Sequence, residues 1–381
     1  MSAFRPLANM RVPSANPALQ YRRFSATPTR CLSAVFAETE NPELNKILIE
    51  VQEKIILPAY LPEAQRKIVY NPSKSDYMRR NPVVIELDGL EHTFSPIDIK
   101  KDIPNSKKAL AAATKIMQTK EEWDNIATFL AGYKKAGIRL KREHYESLIR
   151  RACAAQQEYS IIECAKQTDK TGLILNSDNS IILLMSSVNQ KIYNSTQEEG
   201  AILRSLKWNR LIWELIQRPE HQKMDHLESR PHWTRSPHQN PVVRGTLLFS
   251  QAHAIQVQQA AGEPVEELSK ELRNNVEFIA NAWKKNPGLD KLNVRGQKLF
   301  WKDALSPFYY VRALAQNIKA MELAQEIIGD DAKSLAPIRD TLEKETENFI
   351  KAGSENAKGL GLEYESITGR KPVWEQYLKA E

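Results

Sequence analysis

The chain has 381 residues, of which 41% are hydrophobic and 27% are charged, a composition typical of a soluble protein with one large or two medium domains. Its longest apolar run, residues 181–185, is far too short to cross a bilayer, so no membrane anchor is readable. The 54 basic residues exceed the 47 acidic ones, which would point to a nucleic-acid partner only if the excess belonged to the folded part of the chain.

The first 33 residues differ from the rest. No acidic residue precedes Glu38, and the segment contains five arginines: Arg5, Arg11, Arg22, Arg23 and Arg30. An arginine-bearing, acid-free start with several serines predicts a mitochondrial transit peptide, with a disordered basic tail on a cytosolic protein as the alternative. Without residues 1–33 the chain has 49 basic and 47 acidic residues, net +2. Bulk charge then no longer indicates a strongly basic nucleic-acid binder.

We expect this leader to be absent from the mature protein in the mitochondrial matrix. The run Arg22-Arg23-Phe24-Ser25 resembles the junction that matrix processing peptidases cut, and residues 30–33 are a second candidate. N-terminal sequencing of protein purified from the organelle should therefore start beyond Arg22. Recovery of the first ten residues intact would contradict the prediction.

The three cysteines do not form a recognisable framework. Cys31, Cys153 and Cys164 form no CxxC pair, and three thiols cannot make a set of disulfides. Cys153 and Cys164 lie within apolar helical patterns, which predicts that they are core residues.

Residues 34–105 are predicted to be a helix followed by an arm. Apolar residues recur at helical spacing over residues 41–57: Leu44, Ile47, Leu48, Val51 and Ile55. Six prolines between positions 58 and 104 then predict an irregular, extended segment, with a short strand at residues 83–87.

Residues 106–217 read as successive helices, predicted at 106–118, 121–135, 142–154, 158–168, 177–193 and 197–217. In the second of these, one stripe is apolar: Trp123, Ile126, Phe129, Leu130 and Tyr133. Gly137 and Gly172 each end a helix, as glycine commonly does just past a helix terminus. These glycines are 35 residues apart, and two helices for every 35 residues is typical of an α-solenoid.

Within this region the chain resembles the pentatricopeptide repeat family. The resemblance covers about residues 134–180, with weaker units before it from 106 and after it to 217. It rests on four segments: Lys134-Lys135-Ala136-Gly137-Ile138, Tyr145-Glu146-Ser147-Leu148-Ile149, Arg151-Ala152-Cys153-Ala154-Ala155 and Asp169-Lys170-Thr171-Gly172-Leu173. The resemblance implies an all-α solenoid of helix pairs, of the pentatricopeptide or tetratricopeptide type.

In that family, certain positions of each repeat read RNA bases. In this chain, the residues at those positions are not suited to reading bases. The residue after the opening tyrosine is Glu146, with Ala111 and Ile181 at the matching places of the flanking units, and the repeat ends are Lys141 and Asn176. Alanine and isoleucine cannot hydrogen-bond a base edge. The resemblance therefore implies an architecture rather than a base-reading code.

Residues 218–245 are predicted to be a linker, because they contain four prolines. Four histidines, His221, His226, His232 and His238, lie there five or six residues apart, a spacing that fits no common zinc site, so we predict no metal or cofactor. Helices resume in a C-terminal region, 246–381, at 246–261, 265–285, 307–329 and 331–351. A final short helix is predicted near Trp374 and Tyr377.

No catalytic motif was found: the chain has no GxGxxG, GxxxxGK[ST], GxSxG or HExxH, and we predict that it is not an enzyme. Two basic stretches predict RNA contacts to phosphate and shape rather than to base edges. The residues assigned to this role are Lys134, Lys135, Arg139, Arg142, Arg210, Arg230, Arg235 and Arg244, with Trp233 as the exposed aromatic.

Two hypotheses follow. The first is a mitochondrial helical-repeat scaffold in gene expression, either a mitoribosomal subunit or a factor bound to the ribosome or to RNA. The second is a protein-binding assembly factor for a respiratory-chain complex, which the near-neutral mature charge favours. In both, the functional surface is predicted to be a binding face and not a catalytic pocket.

Overall fold

The computed structural model describes residues 35–87, 90–194, 199–222, 237–285, 306–351 and 357–371. These residues are mostly helical and include one two-stranded hairpin, which confirms the predicted all-α class. None of the helices within these ranges is long and apolar enough to span a membrane. The predicted leader, with Cys31, lies outside the described residues.

The N-terminal segment is more helical than predicted. Helix α1 (Pro42–Val51) begins at Asn41, whose side chain accepts hydrogen bonds from the backbone N–H groups of Glu43 and Leu44. A π-helical turn (Gln52–Ile56), a 3-10 turn (Leu57–Tyr60) and the short helices α2 (Glu63–Val69) and α3 (Ser75–Arg80) follow. The prediction of an extended arm was wrong between residues 52 and 80, because Pro58, Pro62 and Pro72 stand at or just before the start of a helical turn, where the missing N–H group is not needed.

A β-hairpin completes this segment. Strand β1 (Val84–Leu87), predicted at 83–87, pairs antiparallel with β2 (Leu90–Thr93), which was not predicted. The hairpin packs on a small apolar cluster separate from the main core: Leu57, Leu61, Val69, Met78, Val83, Phe94 and Ile97. This cluster gives the proline-punctuated segment a core of its own.

The predicted series of helices is present with small shifts. Its members are α4 (Ser106–Ile116), α5 (Lys120–Asp124), α6 (Ile126–Lys135), α7 (Arg142–Ala154), α8 (Glu158–Lys166), α9 (Thr168–Thr171), α10 (Asp178–Asn194) and α11 (Glu199–Leu215). The single helix predicted at 121–135 is divided at Asn125, whose carboxamide exchanges two hydrogen bonds with the backbone of Ala37. The apolar stripe of this region, Trp123 to Tyr133, is fully buried as predicted.

Gly137 and Gly172 adopt the conformation that their positions predicted. Their φ angles are 74° and 73°, in the left-handed region that favours glycine. After α6, the N–H of Gly137 donates to the Lys134 carbonyl and the N–H of Ile138 donates to the Tyr133 carbonyl, the pattern of a Schellman motif. The helix-ending role assigned to these glycines is confirmed.

The C-terminal helices are α12 (Pro219–Gln222), α13 (Pro241–Ala260), α14 (Glu266–Lys285), α15 (Pro307–Ile328), α16 (Ala336–Lys351) and α17 (Ala357–Thr368). Two differences from prediction matter. Helix α13 begins five residues before the predicted 246, because Asn240 caps it and Pro241 occupies its first position. Helix α17 was missed, although Leu360, Tyr364 and Ile367 bury its inner face. Trp374 and Tyr377 lie outside the described residues.

One apolar core extends from Leu44 to Ile367. Helix α7 packs against α4 and α10, while α8 packs against α6 and α11. Helix α13 packs against α10, α11, α14 and α15.

The predicted core thiols Cys153 and Cys164 are buried, and burial raises the pKa of both. The domain boundaries at 105, 217 and 245 stay predictions.

A buried polar network ties four of these helices together. The Asn189 carboxamide of α10 donates to the Thr246 carbonyl (2.9 Å) and to Gln316 Oε1 (3.0 Å), and Asn209 of α11 donates to Asn189 Oδ1 (2.6 Å). Gln316 in turn donates to the Ser186 carbonyl (2.9 Å). Because an unpaired buried amide is costly, this network fixes how α10, α11, α13 and α15 align.

Candidate nucleic-acid interface

Four of the predicted phosphate-binding residues lie along one edge of the helices, around the turn that follows α6. Lys134 and Lys135 occupy the last turn of α6, Arg139 lies in the connection, and Arg142 is the first residue of α7. Arg139 and Lys135 are exposed, and the Lys135 ammonium lies 5.3 Å from the centre of the Tyr60 ring. Both side chains can reach a partner without breaking an ion pair.

Lys134 and Arg142 are already engaged. The Lys134 Nζ donates to the backbone carbonyls of Thr168 (3.1 Å) and Asp169 (2.6 Å). The Arg142 guanidinium donates to Glu146 Oε1 (2.7 Å) and to Ser177 Oγ (2.8 Å). These two cations hold the next turn of the chain in place, so each serves the fold whether or not it also meets a phosphate.

Arg210 lies elsewhere, on the exposed face of α11. Its guanidinium pairs with Glu271 of α14 at 2.6 Å, and both side chains are more than 40% exposed. An exposed pair of this kind is weak and salt-sensitive, so Arg210 can exchange Glu271 for another anion.

Arg244 is not a loop residue, and its assignment as a phosphate ligand stays a prediction. It lies in the first turns of α13, where its guanidinium carbon is 4.4 Å from the Trp213 ring centre and 4.0 Å from that of Phe278. Its Nη1 donates to Asn275 Oδ1 (2.7 Å), and burial lowers its pKa to about 10. A substitution of Arg244 would therefore disturb the packing of α11, α13 and α14.

The remaining assigned residues, Arg230, Arg235 and Trp233, lie outside the described residues, together with His226 and His232. The other two histidines of the predicted linker are structural. His221 is buried, its Nδ1 accepts the Leu175 N–H at 3.0 Å, and burial lowers its pKa. His238 packs edge-on against Trp213.

The basic residues assigned at 134–142 belong to a longer positively charged run, whose N-terminal part was not predicted. Residues 100–142 contain eleven lysines and arginines and four acidic residues, a surplus of seven. One of the four acids, Glu122, is buried, and accepts hydrogen bonds from the backbone N–H groups of Gln118 and Thr119. A count of charge by segment would have found this run, which total charge conceals because residues elsewhere offset it.

Three of the five positions that read bases in the pentatricopeptide family are unsuited to that role in the structure too. Ile181 is fully buried in α10. Glu146 pairs with Arg142, and Ala111 is an exposed apolar side chain. At these three positions the side chain is buried, apolar or already paired, which favours contacts to phosphates over contacts to base edges.

Comparison with known proteins gives two matches. The sequence profile of the family described as Mrp13, mitochondrial ribosomal protein mS27, matches residues 22–370. The small ribosomal subunit protein mS27 of Neurospora crassa is 24% identical over 335 residues, which cover 84% of this chain and 84% of the relative.

Proposed function

The chain belongs to the mitochondrial ribosomal protein mS27 family, and we propose that it is a helical-repeat protein that binds ribosomal RNA by its phosphates. Family membership makes the chain a non-enzymatic component of the mitochondrial ribosome, which works in mitochondrial translation with the ribosome as its partner. We place it in the small subunit and in the matrix, where its predicted leader would deliver it. The family match favours this hypothesis over a respiratory-complex assembly factor.

The proposal of a helical repeat is supported by how corresponding helices pack. First helices contact first helices, α4 with α7 and α7 with α10, and second helices contact second helices, α6 with α8 and α8 with α11. Three hydrogen bonds join positions 35 residues apart: Lys134 to the Asp169 carbonyl, Arg142 to Ser177, and Lys191 to the Gln156 carbonyl. Contacts that recur at one sequence interval are what stacked repeats produce.

The proposal of phosphate binding is carried by one observation, the surplus of seven positive charges over residues 100–142 on exposed side chains. Each phosphate contact by lysine or arginine releases counterions, which favours binding whatever the base sequence. The residues at the positions that read bases in the pentatricopeptide family include apolar and already paired ones, which agrees with binding to phosphates.

The test is RNA binding by the full chain without its leader, measured against salt with two RNA hairpins of unrelated sequence. Both should bind with similar affinity, and the affinity should fall steeply as salt rises. The double variant Lys135→Ala, Arg139→Ala should lower the affinity for both RNAs equally. It should also reduce the slope of log affinity against log salt by about 1.8. Lys134 and Arg142 stay unchanged in this variant because they hold the fold.

The control is Lys270→Ala, Lys344→Ala, which removes two exposed lysines from α14 and α16 and changes the net charge by the same amount. It should bind RNA almost as the unchanged chain does. A chain that does not bind either hairpin, or that binds one far more tightly than the other, would contradict the proposed function.

A further inference from the structure

The exposed face of α4 is an uninterrupted surface of lysine and alanine. Lys107, Lys108 and Lys115 are exposed, and the two residues between them on this face, Ala111 and Ala112, are exposed as well. Positions 107 and 115 are eight residues apart, which places their Cα atoms about 12 Å apart along the helix. Alanines between the lysines leave room for a bulky chain to approach the helix closely.

A groove borders this face. It has a volume of about 120 Å³ and lies between α4 and α7, whose residues line it: Lys107, Leu110, Ala111, Thr114, Glu143, His144, Ser147, Leu148 and Arg151. The Arg151 guanidinium spans it to donate to the Ala111 carbonyl and to Thr114 Oγ1. The surface of the groove is mostly apolar, but its two cations, Lys107 and Arg151, outnumber its one carboxylate, Glu143, which favours an anion.

The charges in the first turn of α4 also favour a bound anion. It contains Lys107 and Lys108 and no acidic residue, whereas acidic residues are the ones that favour a helix N-terminus. Two ammonium groups beside the positive end of the helix dipole are unfavourable in isolation. A bound anion would remove that repulsion, so the charge pattern of α4 favours a complex over the free chain.

We propose that the lysine face of α4 and the α4–α7 groove bind the phosphate backbone of helical RNA, an inference that rests on the proposed function. Helical RNA fits better than a single strand, because the sequence of α4 has no aromatic side chain on which unpaired bases could stack. The wide spacing of the lysines along the face suits phosphates on a regular backbone. This surface extends beyond the edge formed by Lys135 and Arg139.

The test is the triple variant Lys107→Ala, Lys108→Ala, Lys115→Ala, compared with Lys270→Ala, Lys284→Ala, Lys344→Ala, which removes three exposed lysines from α14 and α16. Alanine is the best helix former, so neither variant should lose helix content, which circular dichroism would check. The probes are an RNA hairpin and a single-stranded RNA of the same length. We expect the α4 variant to bind the hairpin about tenfold more weakly or worse at about 100 mM salt, with a salt slope reduced by about 2.7.

The outcomes separate this inference from the function on which it rests. If the unchanged chain binds no RNA, the proposed function is wrong. If the edge variant loses affinity while the α4 variant matches its control, RNA binding stands and the α4 surface is wrongly assigned. If the α4 variant binds the hairpin normally but fails to join the ribosomal small subunit, the face binds an acidic protein neighbour and this inference is overturned. An equal loss for hairpin and single strand would also overturn the choice of helical RNA.

Discussion

Replacement of Arg312 by methionine should lower the free energy of unfolding by about 3 kcal/mol. Arg312 of α15 lies almost wholly inside the molecule, and its Nε donates to Glu363 Oε1 of α17 at 2.6 Å. The Tyr193 hydroxyl donates to the same carboxylate oxygen at 3.4 Å. Without the guanidinium, the Glu363 carboxylate, only 16% exposed, would lose the charge that it pairs with. Urea-induced unfolding of the recombinant chain is the measurement.

Two further variants separate the buried charge from lost packing. The double variant Arg312→Met, Glu363→Met should recover most of the lost stability, because an apolar pair of similar volume often replaces a buried ion pair without loss. Arg210→Met, which breaks the exposed pair with Glu271, should cost less than about 1 kcal/mol. Equal losses for Arg312→Met and Arg210→Met would show that the buried pair has no special role in joining α15 to α17.

Gly245→Ala should destabilise the protein by roughly 2 kcal/mol, although alanine is the better helix former. Gly245 lies in α13 where this helix packs against α15, and a methyl group there would overlap the Asn317 carboxamide. That carboxamide cannot move aside easily, because its Nδ2 donates to the Ala313 carbonyl at 2.8 Å. The steric cost should outweigh the gain in helix propensity, and the thermal unfolding midpoint should fall.

Gly200→Ala is the matched control. Gly200 is also helical, in α11, and an added Cβ would meet no atom of the described residues within 4 Å apart from its own helix backbone and chain neighbours. This variant should be unchanged or slightly stabilised. A gain of stability in Gly245→Ala similar to that in Gly200→Ala would mean that α13 and α15 pack less closely than described.

Local patterns predicted most of the helices well. The apolar spacing of α6 and α7 and the glycines that follow α6 and α9 depend on residues within a few turns of each other, so the sequence contains the whole signal. Helices were not predicted where the apolar pattern covers only a few residues. The short helices α2 and α3 lie among prolines, which can start a helix or break one. Helix α17 contains two glycines, which disfavour a helix unless tertiary packing offsets their cost.

Which basic side chains stay free and which bind other parts of the chain was the property least predictable from sequence. The basic residues at 134–142 were correctly placed near one another, because a tight turn joins their helices. Their roles were not predictable, since the carbonyls that Lys134 binds and the hydroxyl that Arg142 binds come from 34 or 35 residues further along the chain. Arg244 illustrates the same limit: whether an arginine faces solvent or lies between two aromatic rings depends on helices distant in sequence.

The sequence by itself determined the helical class and the ends of the central helices, because periodicity and capping are local properties. Only the tertiary structure decided which cations remain accessible to a partner. Long-range packing holds the half-buried Arg244 between Trp213 and Phe278, and long-range hydrogen bonds engage Lys134 and Arg142, while the lysines of α4 stay exposed. Those choices depend on which helices meet, and that is set by the core that extends from Leu44 to Ile367.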